Sequence, residues 1–291
     1  MSQQAALAFL EELPSIGNDL PYSPELLARL FSQTGAGGLA SLAEVAATIE
    51  QDQGLAARIL GVANSAYYGL QAGVGSVARA AAVLGMKEIR QIILAVGLRE
   101  LTAARPLPRA FDLEAYWRHQ YAVAALCRSL AEDADEGEPD DLFTAGLLHD
   151  LGKLVVALYR PVEWAAMAEL AEEEGLADAV AEDRFWGVDH AVVGALLLKS
   201  WSFPRSLVEA VNWHHAPRLA DVHQGGALLL RLADAVVHGL DETPAEAFAE
   251  DRESIVAHGC EHFHLNDDEL AERCEEVFQD EDLERFVALL A

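Results

Sequence analysis

Two adjacent pairs of side chains constrain this chain more than any other feature: His149-Asp150, inside the run Ala145-Gly146-Leu147-Leu148-His149-Asp150-Leu151-Gly152-Lys153, and His214-His215. With His119, His190 and Asp234 they make seven imidazole and carboxylate groups on five separate segments. These are the ligand types that suit zinc, iron and manganese. Asp234 lies in the apolar context Leu232-Ala233-Asp234-Ala235, where a buried carboxylate needs a partner, and a cation is an obvious one. Singly, each residue has a plainer reading: a histidine satisfied in a core, Lys153 as a helix-end lysine, Asp234 paired with Arg231. The whole set is harder to dismiss, and only a folded domain can bring five segments to one place.

The pattern around these residues is helical nearly throughout, so the predicted fold class is all-α. Pro24 after Ser23 reads as a first-turn proline opening a helix over 24–33. Ser41 with Glu44 is a capping box that opens a helix to about 50. Further helices are expected over 54–64, 76–84 and 86–103, after which Ala104-Arg105-Pro106-Leu107-Pro108 must break the helix. This break divides a first lobe, 1–105, from a second, 106–240. The second opens at Asp112 with a long helix carrying Tyr116, His119, Val123, Leu126 and Leu130 on one face. A single helix over about 140–158 should hold His149, Asp150 and Lys153, with others near 161–174, 176–185, 189–201, 204–215 and 225–239. Adjacent residues on a regular helix point about 100° apart, so His149 and Asp150 would share a centre only at the helix edge. Lys153, four residues after His149, falls on the same face, where a cation can hold a phosphate oxygen or neutralise a leaving group. The acidic tail, 241–291, is expected to form helices packed on the second lobe, one of them opened by Asn266 and Glu269.

Charge and cysteine usage narrow the function classes. Lysine and arginine total 20 against 48 acidic residues, a formal charge of −28 that repels a nucleic-acid backbone. It would also repel free nucleotides unless metal ions or a local basic patch offset it. Three cysteines without CxxC spacing fit a reducing compartment rather than a disulfide framework. The N-terminus lacks the basic region of a signal peptide, and no apolar run is expected to approach the roughly 18 residues of a membrane span. The expectation is therefore a cytoplasmic protein with no nucleic-acid or membrane partner. His258, Cys260, His262 and His264 form a run in the tail that matches no closed zinc pattern. Asn64-Ser65 reads as a helix end with backbone contacts.

His149-Asp150-Leu151-Gly152-Lys153 resembles the signature of the HD metal-dependent phosphohydrolase superfamily, whose H…HD…D pattern is matched by His119, His149-Asp150 and Asp234. His190 and His214-His215 resemble the additional histidines of the HD-GYP phosphodiesterase branch, which allow a second metal. Ala216-Pro217-Arg218-Leu219, however, stands where that branch has a glutamate and then its Gly-Tyr-Pro stretch, a departure that argues against cyclic di-GMP hydrolysis. The first lobe is similar to that of the HDOD domain, the HD-related output domain of bacteria. The similarity is carried by Ile49-Glu50-Gln51-Asp52-Gln53-Gly54-Leu55, Ile59-Leu60, Ala63-Asn64-Ser65-Ala66, Ser76 and the run from Ala81 to Gly85.

The resemblance covers about residues 10–240. It implies a helical lobe joined to an HD-like helical bundle, and a bacterial signal-transduction role. The metal set implied is His119, His149, Asp150, His190, His214, His215 and Asp234, holding one or two divalent ions (iron, manganese or zinc), with Asp150 as the bridge. Two readings stay open. In the first the chain is a regulatory module acting on a signalling partner protein or a small phosphorylated ligand. In the second it is a metal-dependent phosphohydrolase or phosphodiesterase acting on a nucleotide or phosphoester, with Asp150 and Lys153 as the catalytic residues. A first lobe lying over the site would favour the first reading; the fullness of the ligand set favours the second. The oligomeric state is not legible.

Overall fold

The computed structural model describes residues 9–13, 24–35, 38–65, 68–103, 105–134, 136–239, 249–279 and 281–290. Among these there are only helices, turns and loops, with no strand.

In the first lobe, α1 (Pro24–Thr34), α2 (Leu42–Ile49), α3 (Gln53–Ala63), α4 (Val77–Leu84) and α5 (Met86–Ala103) pack pairwise, α2 on α4, α3 on α5 and α1 on both α2 and α5. Their ends follow the local chemistry of the chain. The Ser41–Glu44 capping box closes as expected, and Asp52 and Ser76 cap α3 and α4 through the backbone N–H groups of Leu55 and Arg79. Ser23 lies outside the described residues. Asn64 ends α3 and clamps the following loop: its side-chain amide donates to the Leu60 and Val74 carbonyls, each at 2.9 Å, and its carbonyl accepts from the Val74 N–H at 2.7 Å. That is the structural role expected of it.

The second lobe is built on α6 (Leu113–Ala134), capped by Asp112 through the Ala115 N–H. α7 (Pro139–Leu148) and α13 (Gln224–His238) pack directly on it, and α8 (Leu151–Tyr159), α9 (Pro161–Glu174), α10 (Asp178–Trp186), α11 (His190–Ser200) and α12 (Arg205–Trp213) complete the lobe, α11 lying on α8 and α12, and α12 on α7 and α13. α6 and α7 pack closely against each other. A Cβ on Gly146 would stand 2.6 Å from the Ala124 Cα, so only glycine lets the two backbones approach this far. After residue 248 come α14 (Ala249–Phe263), which packs on α13, and α15 (Asp267–Gln279) and α16 (Glu281–Leu290), which pack on α6. Asn266 and Glu269 exchange reciprocal hydrogen bonds at the start of α15. α16 also touches α5 of the first lobe.

One buried cluster of apolar side chains runs through both lobes, from Ile59 and Ile92 to Leu154 and Leu229. Each fully buried leucine or isoleucine in it contributes about 1.5–3 kcal/mol. Between the lobes, Phe31 stacks on Phe203 at 4.4 Å and Arg90 donates to Asp141 at 2.7 Å. Arg90 and Asp141 have side chains only 5% and 19% exposed. Removing one partner of such a pair strands the other charge in a poorly solvated place, so Asp141→Ala should destabilise the protein by about 3 kcal/mol. Chemical denaturation of the two chains checks this, and an unchanged midpoint would refute it.

The stretch Pro139–Tyr159 amends one expectation. At 21 residues and mean hydropathy 1.3 it is long and apolar enough to cross a membrane, but 89% of that window is buried inside the fold, where α7 and α8 form the centre of the second lobe.

Candidate metal centre

The helix expected over 140–158 is two helices. α7 stops at Leu148, His149 and Asp150 form a turn, and α8 starts at Leu151. Asp150 leaves the helical conformation (φ −96°, ψ 14°). The break solves the 100° problem: both side chains now reach one centre, with His149 Nε2 3.4 Å from Asp150 Oδ2. Gly152 makes the turn fit. A Cβ there would lie 2.1 Å from the His190 carbonyl oxygen, so the glycine lets α8 press against the start of α11.

All seven residues converge. His119 comes from α6, His149 and Asp150 from the α7–α8 turn, His190 from the first turn of α11, His214 and His215 from the turn after α12, and Asp234 from α13. His119 Nε2 is 3.1 Å from Asp234 Oδ1, and His149 Nε2 is 3.5 Å from the same oxygen. The two oxygens of Asp150 face different histidines, Oδ2 towards His149 and Oδ1 towards His190 at 2.9 Å. His190 Nε2 and His215 Nε2 are 2.9 Å apart. Four overlapping groups have their ligand atoms within 4.8 Å of one another: His119, His149 and Asp150; His149, His214 and Asp234; His190, His214 and His215; and His119, Asp234 and His238.

The donor set fits a metal ion. His149 and His214 are fully buried, and the Nδ1 of each lies 2.7 Å from a backbone carbonyl, Gly146 and Val211 respectively. Nδ1 must therefore carry the proton, which leaves the lone pair on Nε2. Both Nε2 atoms are buried without a hydrogen-bond partner, a costly arrangement unless a cation takes the lone pair. His190 is oriented in the same way by Glu182, whose Oε2 accepts from its Nδ1 at 2.6 Å and from its backbone N–H at 2.7 Å. Such outer partners are worth roughly 10–100-fold in metal affinity. Glu182→Gln is expected to cost that much in a metal-binding titration, and an unchanged affinity would show that Glu182 does not orient the ligand.

Without a metal the charges must be met by protons. Burial opposes ionising both aspartates, yet their neighbours prevail: the charges of His149, Lys153 and His190 hold Asp150 well below the ordinary carboxylate range, and the field of His238 with hydrogen bonds to the His119 and His149 rings does the same for Asp234. Burial likewise opposes a charged His190, but Glu182 and Asp150 raise it to about 10. His214 goes the other way, to about 3, because burial and the neighbouring His149 and His190 disfavour a further positive charge.

Lys153 does not stand free beside the centre. Its ammonium is clamped between Asp150 Oδ2 at 3.0 Å and Asp178 Oδ2 at 2.9 Å. Beyond it opens a cavity of about 590 Å³ that exposes His119, Asp150, Lys153 and His238 between walls that include Tyr116 and Trp164. Among the described residues, all that line it lie between Ala110 and His238, and none belongs to the first lobe.

Sequence reasoning missed four contributors. His238 lies one turn after Asp234, 3.4 Å from its Oδ1, and that i, i+4 spacing was a usable signal. Glu182 and Asp178 belong to α10, and nothing in their local sequence marks them. Gln120, beside His119, donates to Asp150 Oδ2 at 3.3 Å. Arg231 does not pair with Asp234; it donates to the His215 carbonyl at 2.9 Å.

A helical bundle with a buried histidine–aspartate cluster at a broken His-Asp turn is the arrangement of an HD-like protein. The chain belongs to the HDOD domain family, whose profile matches residues 20–217. An uncharacterised protein of Treponema pallidum (strain Nichols) is 26% identical over 209 residues, 70% of this chain but 40% of that protein, so the chain spans about two fifths of that relative's length. A crystal structure of a candidate phosphohydrolase from Shewanella amazonensis SB2B is similar over 98% of both chains, with 27% identity and a TM-score of 0.70. A candidate signal-transduction protein from Marinobacter aquaeolei VT8 shares the fold, at 20% identity and a TM-score of 0.73 over 93% of this chain and 60% of that one.

Proposed function

We propose that this chain is a cytoplasmic regulatory module of bacterial signal transduction whose HD-like lobe holds one or two divalent transition-metal ions, iron, manganese or zinc. His119, His149, Asp150, His190, His214, His215 and Asp234 are the ligands, and Asp150, with an oxygen turned to each side, suits the bridging position. The observation that carries the regulatory reading is the span of α7. Its first turn holds Asp141, which grips Arg90 of the first lobe, and its far end runs into His149 of the metal cluster. A change at the ligands therefore has a short, rigid path to the first lobe, where a signalling partner protein would read it. Hydrogen exchange with and without metal tests this. Loading should protect amides in α1–α5 as well as those around the ligands, whereas protection confined to the second lobe would refute the coupling.

The open cavity of about 590 Å³ favours a second reading, a metal-dependent phosphohydrolase acting on a small phosphoester, in keeping with what the 27%-identical Shewanella protein is held to be. Bound metal would supply water activation and charge neutralisation at the phosphoryl group. Asp150 would anchor it, Lys153 would hold a phosphate oxygen on leaving Asp178, and His119 would line the approach. Turnover of a panel of nucleotides and phosphoesters with iron, manganese or zinc supplied would establish this reading, and its absence under all three would dismiss it.

A further inference from the structure

A second cavity, of about 600 Å³, lies where His215 and the loop after it meet α13 and α14. Its charge is the reverse of the first. The cavity beside Lys153 is lined by Asp112, Asp150, Glu172, Asp178 and Glu182. This one is lined by Arg218, Arg231, His258 and His262, with Ser254 and Gln224, and no carboxylate is among the described residues that line it. The Glu136 carboxylate lies against Gly225, one of the lining residues. On a chain of formal charge −28 with 20 lysines and arginines, two arginines and two further histidines around one hollow are a local concentration of basic side chains.

Ser254, His258 and His262 are spaced four apart, so α14 presents them as one stripe. They face the guanidinium-bearing side chains of the loop after α12 and of α13. This accounts for two members of the tail's histidine run, which has no zinc spacing. The remaining wall includes Leu219, Leu228 and Ile255. A guanidinium matches phosphate oxygens bidentately, and cavities of about 300–1,000 Å³ with apolar walls and a few convergent polar groups suit small organic ligands.

We propose that this cavity is a binding site for a small phosphate-bearing anion, held by Arg218 and the α14 histidines, with any organic part against Leu219, Leu228 and Ile255. The site adjoins the metal centre at His215, whose carbonyl accepts from Arg231, but it does not depend on metal being bound. Arg218, Arg231 and the α14 stripe lie beyond the family match over 20–217.

The test is calorimetric titration of the full chain with inorganic phosphate and, separately, with adenosine monophosphate, before and after chelation. Saturable binding that survives chelation is expected, weakened at least tenfold by Arg218→Ala and by His258→Ala, both surface positions whose metal content should stay at the parent level. Tighter binding of the nucleotide would assign the occupant as a phosphate ester, and equal binding of the two would assign free phosphate; either supports the site. Absence of binding by both probes at millimolar concentration would overturn it. So would binding that vanishes on chelation or is untouched by both substitutions, since the anion would then sit at the metal centre. Failure of metal uptake with retained anion binding would count against the metal reading alone.

Discussion

Gly152→Ala is expected to destabilise the protein by about 3 kcal/mol, the upper part of the range for overpacking a tight interior, and to abolish metal uptake with it. The added methyl would meet the His190 carbonyl oxygen at 2.1 Å, its carbonyl carbon at 2.8 Å and its Cα at 2.9 Å. These are backbone atoms of α11, so no side chain can swing aside; α8 and α11 must separate. His190 sits at that contact and carries a ligand nitrogen 2.9 Å from Asp150 Oδ1. A shift of even half an ångström therefore disturbs fold and site together. Gly61 supplies the internal control. It is exposed in α3 and a Cβ there meets nothing within 4 Å, so Gly61→Ala should stabilise by about 1 kcal/mol through helix propensity alone. Urea midpoints and metal content of the two variants read out both effects. A Gly152→Ala protein as stable as the parent would mean that the α8–α11 approach is not the constraint described here.

Metal affinity is expected to rise steeply with pH, about tenfold per unit for each proton displaced. In the metal-free protein His190 is raised to about 10 by Glu182 and Asp150 against the effect of burial, and His149 is raised by Asp150 and Asp234, also against burial. At neutral pH His190 is therefore protonated, and a metal must displace that proton to take Nε2. Below pH 10 each unit of added acidity favours the proton over the metal, and above it the competition from His190 ends. His214, at about 3, holds no proton to displace and adds nothing to this dependence. Competition against a chelator of known proton affinity between pH 6 and 8 should show at least a hundredfold gain, and a flat profile would show that the cluster is not protonated when empty. The gain should persist in the Glu182→Gln protein but shrink, because the main charge holding the proton on His190 is gone.

The helices were largely legible because their ends carry local signals. Ser41 with Glu44, Asp112 and Asn266 with Glu269 make the hydrogen bonds their spacing implies. The helices expected near 189–201, 204–215 and 225–239 match α11–α13 to within two residues at each end. The α7–α8 break was not legible. Leu147 to Leu154 reads as continuous helix on propensity, and what stops it is tertiary: the close approach of α8 to His190 and the pull of the shared centre on both His149 and Asp150.

The sequence by itself determined that this is an all-helical chain, that seven imidazole and carboxylate groups must be explained together, and that its first lobe is of the HDOD kind. Those properties rest on residue type and on short-range spacing, which survive without the fold. Only the tertiary structure decided that the seven groups meet, that Glu182 joins them, that Lys153 is held by Asp178, and that the tail's His258 and His262 face Arg218 and Arg231 across a hollow. Each of these pairs residues from different helices, or sets the direction of a side chain at a helix end. Such contacts are fixed by how the helices pack, a property that no local stretch of sequence contains.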